Sequence, residues 1–286
     1  MTVRTIAVPC YGSMDIEPML DAGLHLAQPL GAHLEVIYIV PDAAAELMMF
    51  PSSALAAGLL PVDRLTRELQ DEAVRQRHHF EEWCRTNGVG GHPEGHRIDS
   101  VFARWIDEEG TLETVVMRRG RLADLTLVRL PTPGDIGSSR CFDSAVIATG
   151  RPVLVVPQRC PTDLLRTVAI AWDGSLEATH AVAMGMPILR AAARVLVVTA
   201  GHPHDVSGLG IELVDSLRWH GIEAEAIEPP VNGHGAGETL IATLRKHEAS
   251  MLVMGAFTHS RIRETLIGGV TRHVLRHSPV PVLMAH

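Results

Sequence analysis

The stretch with the most chemical content runs from Leu252 to Leu283. An apolar run ends at Gly255, and a polar segment carrying Thr258, His259, Arg261 and Arg263 follows. Gly268, Gly269, Val270 and Thr271 then open a helical pattern. Backbone N–H groups at a helix start form an anion cradle, and glycines let a ligand approach the chain closely. The Thr271 hydroxyl can donate to a phosphate oxygen. His259, Arg261 and Arg263 add local positive charge, and His259 and Arg261 could clamp a terminal phosphate. A second polar turn, Trp172 to Ser175, follows the apolar run that ends at Ala171. Asp173 there is either a ligand-facing carboxylate or the turn acid that caps the next helix together with Ser175. The two roles are compatible.

Other chemistries find less support. The chain has 16 histidines, more than its 11 aromatic Phe, Trp and Tyr residues. His202, His204 and Asp205 share one loop, and His273 and His277 stand one helical turn apart, a spacing that suits zinc. Neither set completes a four-ligand site, so solvated surface histidines are the expectation and no metal site is assigned. The adjacent His78 and His79 point apart on a helix and are expected to be solvated. The four cysteines, Cys10, Cys84, Cys141 and Cys160, are scattered with no C-x-x-C pair. A reduced, cytoplasmic setting follows as the default. Cys10 ends the first strand, where a small buried residue is expected. No nucleophile elbow, P-loop or dinucleotide fingerprint is present, and no catalytic residue is assigned.

Composition sets the outer bounds. The chain has 286 residues, 46% hydrophobic and 20% charged, with a net charge of −8. A broad nucleic-acid face is not expected from that charge. The uncharged apolar-rich stretch Leu47–Val62 is broken by Pro51 and Pro61 and is too short to span a membrane. The first residues lack the pattern of a secretory signal.

The elements that must position the polar residues come in two copies. Thr5–Ser13 resembles Thr167–Ser175, and Arg151–Pro157 resembles Val280–His286. The openings are offset by 162 residues and the endings by 129, so the first copy is longer by about 33, placed broadly between Pro41 and Ser100. Such a repeat governs the reading of the whole fold. In the first copy, strands are expected at Val3–Pro9, Leu34–Val40, Val101–Ile106, Leu125–Leu130 and Val153–Val156. Helices are expected from Met19 to Leu30 with Gly31 as C-cap, over Asp63–Arg85 with Asp63 as N-cap, and over Leu112–Arg121 and Ser139–Thr149. In the second copy, strands are expected at Val168–Ala171, Val195–Thr199, Ile222–Ile227, Met251–Met254 and Val280–Met284. Its helices are expected at Leu176–Ala193 (with a kink at Pro187), Val206–His220, Ala236–His247 and Gly269–His277. Alternating strands and helices imply α/β architecture: two tandem doubly wound, mainly parallel five-stranded sheets with helices on both faces. The domains are read as 1–158 and 164–286, joined by a short linker and packed as an intramolecular pseudo-dimer.

The segment Val253–Pro281, together with Ala171–Ser175, resembles the universal stress proteins in their tandem two-domain form. The resemblance extends over both copies. It implies a fold similar to the adenine-nucleotide α-hydrolases and binding of ATP or ADP, with Mg²⁺ as a possible companion. Gly255 and Gly268 match glycines of the family's G-x-x-G, nine residues, G-[S/T] motif. Asp173 matches its adenine-side acid, Val198 an apolar adenine-side position, and Val270 and Thr271 the phosphate-side helix start. The nucleotide set is thus Ala171, Asp173, Val198, Gly255, Thr258, His259, Arg261, Gly268, Gly269, Val270 and Thr271. Two positions depart from the pattern: Thr258 replaces the second glycine, and Gly269 replaces the hydroxyl residue. A β-branched residue tolerates positive φ badly, and a lost hydroxyl removes one hydrogen bond. The first copy departs further, with Tyr11 at the acidic position and Leu130–Asp135 at the loop, where two prolines remove donors and Asp135 repels phosphate. That copy is expected to be structural. The implied function is a nucleotide-responsive stress protein rather than an enzyme, with an unidentified protein partner and homo-oligomers both compatible. A protein-interaction scaffold without nucleotide is the alternative, and a histidine-based metal binder a third.

Overall fold

The computed structural model describes residues 2–41, 62–90, 101–200, 208–230, 235–256 and 269–286. The first half runs β1 (Thr5–Tyr11), α1 (Glu17–Leu30), β2 (His33–Val40), α2 (Val62–Asn87), β3 (Ala103–Glu109), α3 (Leu112–Leu122), β4 (Leu125–Arg129), α4 (Ile136–Ala148) and β5 (Val153–Val156). The second runs β6 (Val168–Ala171), α5 (Leu176–Ala191), β7 (Val195–Val198), α6 (Leu209–Arg218), β8 (Ala224–Ile227), α7 (Ala236–Lys246), β9 (Met251–Gly255), α8 (Gly269–His277) and β10 (Val282–Ala285).

The strands form one sheet in the order β3-β2-β1-β4-β5-β10-β9-β6-β7-β8. Within each half every pairing is parallel, and the two halves repeat the same strand order. The expected pair of five-stranded sheets is thus fused edge to edge. The seam is the antiparallel pair β5–β10, centred on Leu154 opposite Leu283. Fusion removes an exposed edge from each half, the surface that otherwise invites uncontrolled strand pairing.

Burial explains why the strands read as apolar runs rather than alternating ones. β5, β7 and β10 are buried throughout, because helices cover both faces of the sheet. One face packs against α1, α2, α5 and α6 through Leu20, Phe80, Ala181 and Leu213. The other packs against α3, α4, α7 and α8 through Val115, Phe142, Leu240 and Val274. Helix α2 is polar on its outer side and is held to α1 by Trp83, whose indole N–H donates to Asp21 at 2.8 Å. His79 meets Glu17 at 3.0 Å one turn earlier.

Local signals account for most ends. Gly31 closes α1 in the left-handed region at φ 62°, as expected of a C-cap glycine. Asp63 is not a cap: α2 already begins at Val62. Helix α4 begins at Ile136, three residues before the expected Ser139, because Asp135 caps it through the Ser138 N–H at 3.0 Å. The third strand lies at Ala103–Glu109, shifted towards the C-terminus from Val101–Ile106. Pro187 lies inside α5 as read.

Candidate nucleotide site

In each half the strand order reverses between the first and fourth strands. Crevices beyond the carboxyl ends of strands at such a point are where open α/β sheets hold ligands. In the second half this point lies between β6 and β9, and a cleft opens there. Ala171 from the end of β6, Asp173 from the following turn, Val198 from the end of β7 and Gly255 from the end of β9 all line it. Gly269, Val270 and Thr271 from the first turn of α8 complete it. Residues spread over 100 positions of sequence thus converge on one crevice. Thr258, His259, Arg261 and Gly268 lie outside the described residues.

The turn after β6 is built by short-range hydrogen bonds. Asp173 Oδ1 accepts from the Ser175 N–H at 3.0 Å, and Ser175 Oγ accepts from the Ala178 N–H at 3.2 Å, capping α5. Gly174 takes φ 74°, which only glycine adopts without strain. Asp173 therefore does turn work and lines the cleft at once. Val198 is buried and offers an apolar wall, while Thr271 is buried in the first turn of α8. A Cβ at Gly269 would meet no heavy atom within 4 Å, so packing does not demand a glycine there.

Sequence reading missed Glu177. It is 6% exposed, sits in the first turn of α5 and lines the same cleft. The only sequence signal was its place two residues after the Ser175 cap, which reads equally well as an acid complementing a helix N-terminus. Leu240 of α7 and Met254 of β9 add apolar lining that was also not foreseen.

The first half is built differently at the corresponding place. The Leu154–Leu283 pairing carries Gly269, Val270 and Thr271 onto Arg140, Cys141 and Phe142. These lie in the second turn of α4, so their N–H groups are bound within the helix rather than offered to a ligand. Arg140 is turned onto Glu113 of α3 in a two-pronged ion pair, with Nη2 to Oε2 at 2.8 Å. The helix start itself carries its own anion, the Asp135 carboxylate. A Cβ on Gly137 would come within 2.6 Å of Tyr11 Cε2, so the phenol ring lies flush on the start of α4. Burial lifts the Tyr11 phenol above its ordinary range, with Cys141 and Asp135 contributing in the same direction.

Other sequence candidates are placed as follows. Cys10 is buried, its Sγ donates to the Ile37 carbonyl at 3.4 Å, and burial pushes its thiol well above the ordinary range. That is the reverse of what a reactive thiol needs. The rings of His273 and His277 stack with centroids 4.3 Å apart, and His277 Nδ1 lies 2.9 Å from the His273 carbonyl. Among the described residues no three His, Cys, Asp or Glu side chains gather as metal ligands, and no helix is long and apolar enough to cross a membrane. His202, His204 and Asp205 lie outside the described residues.

Comparison with known proteins gives a consistent result. Residues 165–286 match the model of the universal stress protein family. A universal stress protein of Synechocystis sp. is 24% identical over 276 residues, covering 90% of this chain and 91% of that protein. Among solved structures, a universal stress protein from Archaeoglobus fulgidus superposes with a TM-score of 0.71 at 14% identity, covering 98% of this chain and 97% of its own. A universal stress protein from Pseudomonas aeruginosa superposes at 0.54 and 15% identity, covering 99% and 93%. Residues 165–286 thus match the universal stress protein family, and the whole chain, whose two halves share one strand order, is similar along its length to universal stress proteins.

Proposed function

We propose that the second half binds one adenine nucleotide, ATP or ADP, and that the first half is its structural partner. The observation that carries this reading is the convergence of Asp173, Val198, Gly255 and the α8 start on one cleft at the strand-order switch. The adenine end lies by Ala171, Asp173 and Val198, and the phosphates lie at the N–H groups of Gly269, Val270 and Thr271. Two carboxylates, Asp173 and Glu177, line the cleft. Mg²⁺ suits that environment, because it neutralises phosphate beside carboxylate oxygens. The protein then acts by binding, as a nucleotide-responsive member of a stress response, rather than by turnover.

Calorimetric titration of ATP–Mg²⁺ into nucleotide-stripped protein tests this, with Asp173→Ala alongside. One site per chain, lost in the variant, is expected. Two sites per chain would overturn the reading of the first half. No heat and no rise in melting temperature up to millimolar ATP would remove the nucleotide from the proposal altogether.

A further inference from the structure

A second cleft lies at the seam between the halves, away from the nucleotide site. Helix α8 presents Gly269, Val270 and Thr271 to the nucleotide cleft and Arg272, Leu275 and Arg276 to this one. The opposite wall is α4, through Ser139, Phe142 and Asp143, and the rim is the Leu130–Gly134 loop of the first half. The cleft measures about 700 Å³, within the range of small-molecule sites, roughly 300–1,000 Å³. Its apolar lining comes from Pro131, Phe142 and Leu275.

The charges on its walls are unequal. Arg272 and Arg276 stand one helical turn apart on the same face of α8. Asp143 is the single acid among the lining residues, and it lies on the α4 wall. An anion entering the cleft is drawn to α8 and repelled from α4. Guanidinium forks suit carboxylate, sulfonate and phosphate headgroups, while the apolar lining offers nothing to a bare inorganic anion.

We propose that the inter-half cleft binds an amphipathic organic anion, its headgroup on Arg272 and Arg276 and its apolar body on Pro131, Phe142 and Leu275. This reading is independent of whether the other cleft takes a nucleotide. It also gives the Pro131–Gly134 loop of the first half a role.

The probe is anilinonaphthalene sulfonate, with its uncharged relative phenylnaphthylamine as control, both followed by fluorescence on the full chain. Saturable binding of the sulfonate is expected, unaffected by saturating ATP. Replacing Arg272→Gln and Arg276→Gln together should weaken it by about tenfold or more, the loss expected of charge-assisted hydrogen bonds. The same double variant should leave the uncharged probe within about twofold. Ser139→Trp, which fills the cleft from an exposed position on α4, should abolish sulfonate binding without touching either arginine. Circular dichroism melts check that each variant is folded. Absence of saturable binding, displacement by ATP, or affinity unchanged in both variants would overturn the proposal.

Discussion

Gly255 passes so close to Glu177 that a Cβ on the glycine would lie 2.6 Å from the Glu177 carbonyl carbon, and 2.7 Å from the Ala178 nitrogen. The contact is backbone against missing side chain, so no rotamer change relieves it. Gly255 is thus what lets β9 end against the first turn of α5, and what sets Glu177 in the cleft. Gly255→Ala should cost about 1–3 kcal/mol, the usual range for overpacking a core. Urea denaturation reads this directly. A midpoint equal to that of the parent chain would show that the close approach is not a constraint.

Gly269 stands in the opposite situation. A Cβ there meets open space, and the residue lies at the start of α8, facing the cleft. Gly269→Ser restores the hydroxyl that the family motif carries. One added neutral hydrogen bond to phosphate contributes about 0.5–1.5 kcal/mol, which is about two- to tenfold in affinity. Calorimetry of ATP against the variant checks it. Weaker binding in the serine variant would place the phosphates elsewhere.

Much of this arrangement was legible in the chain because it rests on local signals. Apolar runs gave the buried strands, Gly31 gave the end of α1, and the repeat gave two halves of one strand order. Asp173 and the Gly269–Thr271 turn were readable because strand ends and helix starts have recognisable residues. Glu177 was not, since a first-turn acid after a serine cap has the same appearance whether it faces solvent or a cleft. Tyr11 over Gly137 was also hidden. That contact joins two segments 126 positions apart, and neither carries a periodic pattern that announces it. The capping role of Asp135 was hidden as well: its carboxylate accepts from the Ser138 N–H besides placing a negative charge at the start of α4.

Alkaline pH should destabilise the fold. Burial, with Asp135 and Glu113 adding to it, lifts the Cys141 thiol from 9.0 to about 12. Burial, with Glu72 and Cys10 adding to it, lifts the Tyr38 phenol from 10.0 to about 12. Both groups lose their proton more readily in the unfolded chain than in the folded one. Their contribution is therefore fully present below about pH 9 and fades as pH rises towards about 12. The urea midpoint should fall steadily over that window, and Cys141→Ala should flatten part of the fall. A midpoint independent of pH there would contradict the burial of these groups.

The first half should resist repair at any single position. Three separate features stand at the place that corresponds to the second half's cleft: the Tyr11 ring on Gly137, the Asp135 carboxylate on the α4 start, and the Arg140–Glu113 pair. Tyr11→Asp restores the acid found at Asp173 in the other half. It does not free the helix N–H groups, because α4 still begins at Ile136 and Asp135 still caps it. The variant should lose stability through the packing lost with a half-buried ring, by about 1–3 kcal/mol. Its ATP stoichiometry should stay at that of the parent chain. Gain of a second site in Tyr11→Asp, measured by calorimetry with the protein concentration fixed by amino-acid analysis, would show that the tyrosine alone closes the half. It would also mean that the capping carboxylate yields to phosphate, which an added charge at position 11 makes harder rather than easier.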